Sequence, residues 1–247
     1  MGRKSKRKIQ KPGNELLYIS PVMLCVADLG GWILTGKLAG PRAAAEFFWF
    51  SILATASITF FQLCFYARSR DRLIFRILFF GMSGLTLVWY LLSLILPVLW
   101  VPTIGINAKV SFAVITGILF FCNGLKGFSY FRSFSEKINI LVAKNYDSRT
   151  ESLDWDEVLK PLKMTMNIYI PGVPERMIQL GSLFMVVSML TGLCLRKPFP
   201  VFSVFAWGVP CIFVSSFCVQ ITTICLAQAL KVAELEEHMG LKIRPKK

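Results

Sequence analysis

Six apolar runs of about twenty residues each constrain this chain more than any other feature. A helix rises about 1.5 Å per residue, so about 20 residues cross a hydrocarbon layer of about 30 Å. The runs are residues 16–36, 47–67, 77–101, 110–131, 177–195 and 201–230. Read as spans, they give an all-α membrane protein: a bundle of about six transmembrane helices with a short cytoplasmic helical loop. The sixth run is longer than a span requires, so it is expected to tilt or project from the bilayer. Only residues 196–200 separate runs five and six, which predicts an antiparallel hairpin. The first run holds Pro21, Asp28 and the pair Gly30 and Gly31, and reads as a kinked helix or a re-entrant piece.

Charge decides between those two forms. With 28 Lys and Arg against 14 Asp and Glu the chain carries a net charge of +14, and nucleic acid is the first partner to weigh. That partner is set aside, because the basic residues form short clusters between the apolar runs rather than one face of a polar domain. With the N-terminus in the cytoplasm, six Lys and Arg precede run one, four lie between runs two and three, seven between four and five, and five after six. The three loops on the other side carry two, one and two, and Lys126 lies inside run four. A bias of 22 to 5 places both termini inside and makes run one a full span. The regions are a basic N-terminal tail (1–15), segments one to four (16–131), a cytoplasmic loop with amphipathic helices (132–176), a transmembrane hairpin (177–230) and a basic C-terminal tail (231–247). At 55% hydrophobic and 17% charged, the composition departs from the soluble average of about 45–50% and about 25% in the same direction.

Catalytic equipment is scarce. His238 is the one histidine, and no two of the seven cysteines have metal-ligand spacing, so no metal and no cofactor is expected. The cysteines read as small buried hydrophobes. No phosphate-binding loop, nucleophile elbow or zinc-protease motif occurs, and the chain reads as a non-enzyme.

The polar residues inside the runs carry the functional signal. Asp28 lies about twelve residues into the first run, hence roughly 18 Å deep. An ionisable group there costs roughly 2.5–3.5 kcal/mol on insertion scales, so it must face protein or water, or be protonated. It is a proton or cation site, a carboxyl hydrogen-bonded to a neighbouring helix, or, if the segment is shifted, one placed near the outer surface. Gln62, Asn123 and Gln220 fall at a similar cytoplasmic-side depth, with Lys126 close enough to that surface to snorkel. Such a layer either lines a vestibule or locks the bundle through interhelical hydrogen bonds.

The 132–176 loop is the one long connection. Residues 136–146 read as a short amphipathic helix. Ser152 is the expected N-cap of a second, with Asp154, Asp156 and Glu157 in its positive first turn and Leu153, Val158, Leu159 and Leu162 at helical spacing. Asp154, Trp155, Asp156, Glu157 and Leu159 are the candidate partner contacts, since Trp is enriched at interface hot spots. The alternative is that the same apolar residues dock the loop on its own bundle. The sequence thus predicts a non-enzymatic subunit or scaffold of a membrane assembly, whose partners are the lipid bilayer and itself or other membrane proteins. The competing function is a channel or transporter subunit using Asp28 and the polar layer.

Overall fold

The computed structural model describes residues 14–246. The basic run at residues 3–11 lies outside the described residues. Among the described residues, six helices are long and apolar enough to cross a membrane. In chain order the helices are α1 (Asn14–Ala39), α2 (Pro41–Arg68), α3 (Leu73–Leu92), α4 (Ile106–Arg132), α5 (Ser135–Asn145), α6 (Trp155–Leu159), α7 (Glu175–Leu195) and α8 (Pro200–Met239). Three two-residue strands accompany them: β1 (Tyr146–Asp147), β2 (Ser152–Leu153) and β3 (Arg244–Pro245).

The first run is one continuous helix through Pro21 and the glycine pair, so the re-entrant form is not adopted. Its turn into α2 uses Gly40 at φ 92°, a conformation that costs glycine little, followed by Pro41, whose fixed φ restarts a helix. The third run is split. Regular helix stops at Leu92, and residues 96–100 form a 3-10 helix around Pro97, whose missing N–H and ring oppose a longer α-helix. Ile95, Val98 and Val101 from this stretch are fully buried and plug the end of the bundle.

Helix α8 is the spine. Its 40 residues extend about 60 Å, twice a hydrocarbon layer, and α3, α4 and α7 all pack along it. Small residues permit the close approach. A Cβ at Gly81 would stand 3.1 Å from that of Cys225, and one at Gly84 would stand 2.6 Å from the Thr222 hydroxyl. Helices α1 and α2 attach through α3, sharing a cluster of Leu24, Ala27, Ile58 and Trp89.

One end of the bundle carries Arg68, Arg72, Arg132 and the end of α8, and here the connection after α5 and the C-terminal tail build a cap. Strand β2 pairs antiparallel with β1 and parallel with β3. Ile243, just before β3, is fully buried, and its carbonyl accepts from the Leu73 amide at 3.0 Å. Glu236 accepts from the Ile243 amide at 2.9 Å and pairs with Arg72. Gly240 at φ 64° ends α8 and turns the tail back. Ile138, Val142, Leu153, Trp155, Val158 and Leu162 join Ile77, Phe131, Ile224 and Val232 in the largest core cluster.

The predicted cap residue needs correction. Ser152 lies in β2, with its hydroxyl 2.7 Å from that of Thr150, and Asp154 is the N-cap, accepting from the Glu157 amide at 3.3 Å. Pro161 limits α6 to five residues and a 3-10 turn. The buried-cysteine reading holds only for Cys211 and Cys218; Cys25 and Cys194 are exposed on helix surfaces.

Candidate functional site

Each polar residue within the apolar helices has its own set of neighbours. Asp28 on α1 is 9% exposed, and its carboxylate accepts from the Trp89 indole N–H of α3 at 3.0 Å. Gln62 on α2 donates to the Ser20 hydroxyl of α1 at 2.8 Å. Gln220, on α8, is buried beside Gly127 of α4, and its side-chain oxygen has no hydrogen-bond partner.

Asn123 does something different. It is fully buried on α4, and its amide acts as a backbone surrogate toward Tyr169. The side-chain nitrogen donates to the Tyr169 carbonyl at 2.7 Å and to the Leu119 carbonyl at 2.9 Å, while the side-chain oxygen accepts from the Tyr169 amide at 2.9 Å. This two-way pairing holds an extended segment, residues 164–170, against the bundle. The Tyr130 hydroxyl accepts from the Thr165 amide at 3.1 Å. From Tyr130 to Asn123 is about 10 Å of helix at 1.5 Å per residue, and from Thr165 to Tyr169 is about 13 Å of extended chain at 3.3 Å per residue. The strip therefore runs antiparallel to α4, from the capped end inward. Its last residue, Ile170, packs against the cluster that includes Leu119 and Ile212. Part of the 132–176 connection therefore lies along α4.

The strip carries a sequence signal that helical spacing conceals. Met164, Met166, Ile168 and Ile170 alternate with Thr165, Asn167 and Tyr169; the even positions are partly buried and the odd ones exposed. That is period-two burial, the pattern of an extended chain with one face covered. Lys126 is exposed and places its ammonium 5.5 Å from the centre of the Tyr169 ring, a cation–π contact over the strip.

The proposed partner contacts divide. Trp155 is buried and donates to the Gln228 side-chain oxygen of α8 at 3.0 Å, and Leu159 packs on the same core cluster. Both are turned inward because the cap needs their apolar area. Asp156 and Glu157 are exposed, Glu157 3.5 Å from Lys160, while Asp154 serves as the cap. In the loop between β1 and β2, the Arg149 amide and the Thr150 hydroxyl bond to Asp147 and hold its carboxyl below the ordinary carboxylate range.

Helix α7 contacts the rest of the chain chiefly through α8. Ser188 donates to the Ala206 carbonyl at 3.1 Å, and a Cβ at Gly192 would meet that of Ala206 at 2.7 Å. Leu183, Phe184, Val187 and Leu190 on α7 are exposed, as are Val114, Ile118 and Phe121 on α4. No known protein family, curated protein or solved structure matches the chain.

Proposed function

We propose that this is a multi-pass integral membrane protein with both termini in the cytoplasm, acting as a non-enzymatic subunit or scaffold of a membrane assembly. The observation that supports this reading is that Asp28, the one acidic group deep in an apolar helix, is packed against Trp89 and hydrogen-bonded to it. Gln62 and Asn123 are likewise bonded within the chain. Interhelical bonds of this kind contribute about 0.6 kcal/mol each in lipid, up to about 1.7, which suits locking a bundle rather than lining a path. The apolar face of α7 is then the surface offered outward, since that helix is supported along one side.

The test is native mass spectrometry from mild detergent, run beside a proteoliposome flux assay. A particle heavier than the single 27.9 kDa chain is expected, dissociated by Phe184→Gln with Leu190→Gln while insertion is retained. Asp28→Asn should leave the assembly intact. A single-chain particle with a proton or cation flux that Asp28→Asn abolishes would establish the channel or transporter function instead. Reporter fusions at Arg149 and after Lys246 should both read cytoplasmic, and a fusion near Lys197 should read the opposite side.

A further inference from the structure

At the capped end, where α4 and α8 leave the apolar part of the bundle, a cavity of about 270 Å³ opens between them. Phe128, Arg132, Ser135, Leu230, Lys231 and Glu234 line it. We infer that this cavity holds the headgroup phosphodiester of an anionic membrane phospholipid, one of net negative charge, between Arg132 and Lys231, with the acyl chains descending along α4 and α8. The inference rests on the bilayer placement proposed above and is independent of the assembly role.

Charge comes first. Two cations and one carboxylate leave a net charge of +1, which matches the single negative charge of a phosphodiester. Lys231 is only 7% exposed, and its ion-pair partner among the described residues, Glu234 at 3.0 Å, is 53% exposed. A half-exposed carboxylate compensates a largely buried ammonium only in part, and a bound phosphate would add to that compensation. Arg132 is exposed and pairs with no carboxylate among the described residues, so its guanidinium is free to grip two phosphate oxygens.

Position comes second. Phe121, Leu125, Phe128 and Arg132 recur at steps of four, three and four, so they lie along one face of α4. Phe121 and Leu125 on that face, and Leu226 and Leu230 on α8, are exposed and apolar. Two apolar stripes therefore lead into a cationic cavity at the helix ends, an arrangement suited to a lipid and not to a freely diffusing anion. Basic pockets at the cytoplasmic ends of helices are where anionic headgroups bind.

The experiment is native mass spectrometry of the full chain after exchange into phosphatidylglycerol, phosphatidylserine or phosphatidylcholine, with inorganic phosphate as the soluble comparison. One tightly retained anionic lipid is expected. Arg132→Gln, a change at an exposed position, should reduce its retention about tenfold or more, the loss of one charge-assisted contact. Lys231→Gln should act in the same direction; should it fail to fold, Arg132→Gln decides alone. Arg42→Gln at the far end is the control and should change nothing. Equal retention of phosphatidylcholine, or unchanged retention in Arg132→Gln, overturns the inference. Binding of inorganic phosphate as tight as that of lipid overturns the lipid and leaves a soluble anion. The same spectra report the assembly state, so failure here is read separately from failure of the subunit role.

Discussion

Replacing Asn123 by Leu isolates what the buried amide does. The two side chains are similar in size, and Leu favours helix, so α4 itself should persist. What disappears is the pairing with Tyr169: a donor at 2.7 Å to its carbonyl and an acceptor at 2.9 Å for its amide. Both Tyr169 backbone groups then lose a partner that the extended strip cannot replace. At about 0.6–1.7 kcal/mol for each such bond in lipid, the loss sums to about 1–3 kcal/mol. At about 2–4 °C per kcal/mol for a chain of this size, the midpoint of thermal unfolding should fall by about 2–12 °C. Amide hydrogen exchange is the more specific assay. Protection of Tyr169 should fall, and with it that of residues 165–170, while the α3 and α8 amides around Gly84 and Cys218 keep theirs. An Asn123→Leu protein whose Tyr169 amide remains as protected as in wild type would refute the reasoning, since the strip would then be held by Ile170 and its neighbours alone.

Other consequences follow from single contacts. Asp28→Asn preserves an acceptor for the Trp89 indole and should leave thermal stability nearly unchanged, whereas Asp28→Leu strands that N–H and should cost about 1–3 kcal/mol; equal melting of the two variants would deny the bond a structural role. Gly127→Ala places a Cβ 2.6 Å from the Gln220 carbonyl and should push α4 off α8, at a cost of about 1–3 kcal/mol in a denaturation series, whereas Gly117→Ala meets nothing within 4 Å and should be neutral. The depressed Asp147 carboxyl stabilises the β1–β2 loop at pH values above the ordinary carboxylate range, and that contribution is lost as pH falls through its lowered value. Amide exchange at Arg149 should therefore accelerate in acid, and Asp147→Asn should flatten the profile.

Much of the fold is legible in the sequence because lipid-crossing helices announce themselves by length and apolarity. The helix count needs no tertiary information. The departures arise where a backbone rule or a partner overrides composition. Pro97 ends α3 early although the apolar run continues to Val101. Ser152 has the right chemistry for a cap, but pairing with β1 and β3 takes it into a strand, and Asp154 two residues later takes the role. The inward strip is written in the alternation from Met164 to Ile170. A search for helical periodicity passes over it, and a connection between two spans is not where an extended buried segment is expected. The candidate site was legible only in its residue types. Nothing in the local sequence around Asp28 names Trp89, which is 61 residues away, or ties Trp155 to Gln228 across 73.

The placement of the strip bears on how segment five enters the bundle. Ile170 packs with Leu119 and Ile212, and α7 begins at Glu175, a few residues later. The chain has therefore already travelled inward before α7 starts. From there α7 needs only 21 residues, about 32 Å, to reach the hairpin with α8 at the opposite end. Its first turn follows that strip by a few residues of chain, and its later turns pack through Ser188 and Gly192 against Ala206 of α8. Along the chain, α7 thus follows one polar bond pair at Tyr169 and is held on α8 by a small-residue contact. Loosening Asn123 should free the end of α7 that carries Met177 before the end that carries Leu193. Spin labels at Met177 and Leu193 separate these outcomes: in Asn123→Leu the first should gain mobility and the second should not. Equal loosening at both ends would mean that α7 moves as one rod on α8, with the strip following it rather than holding it.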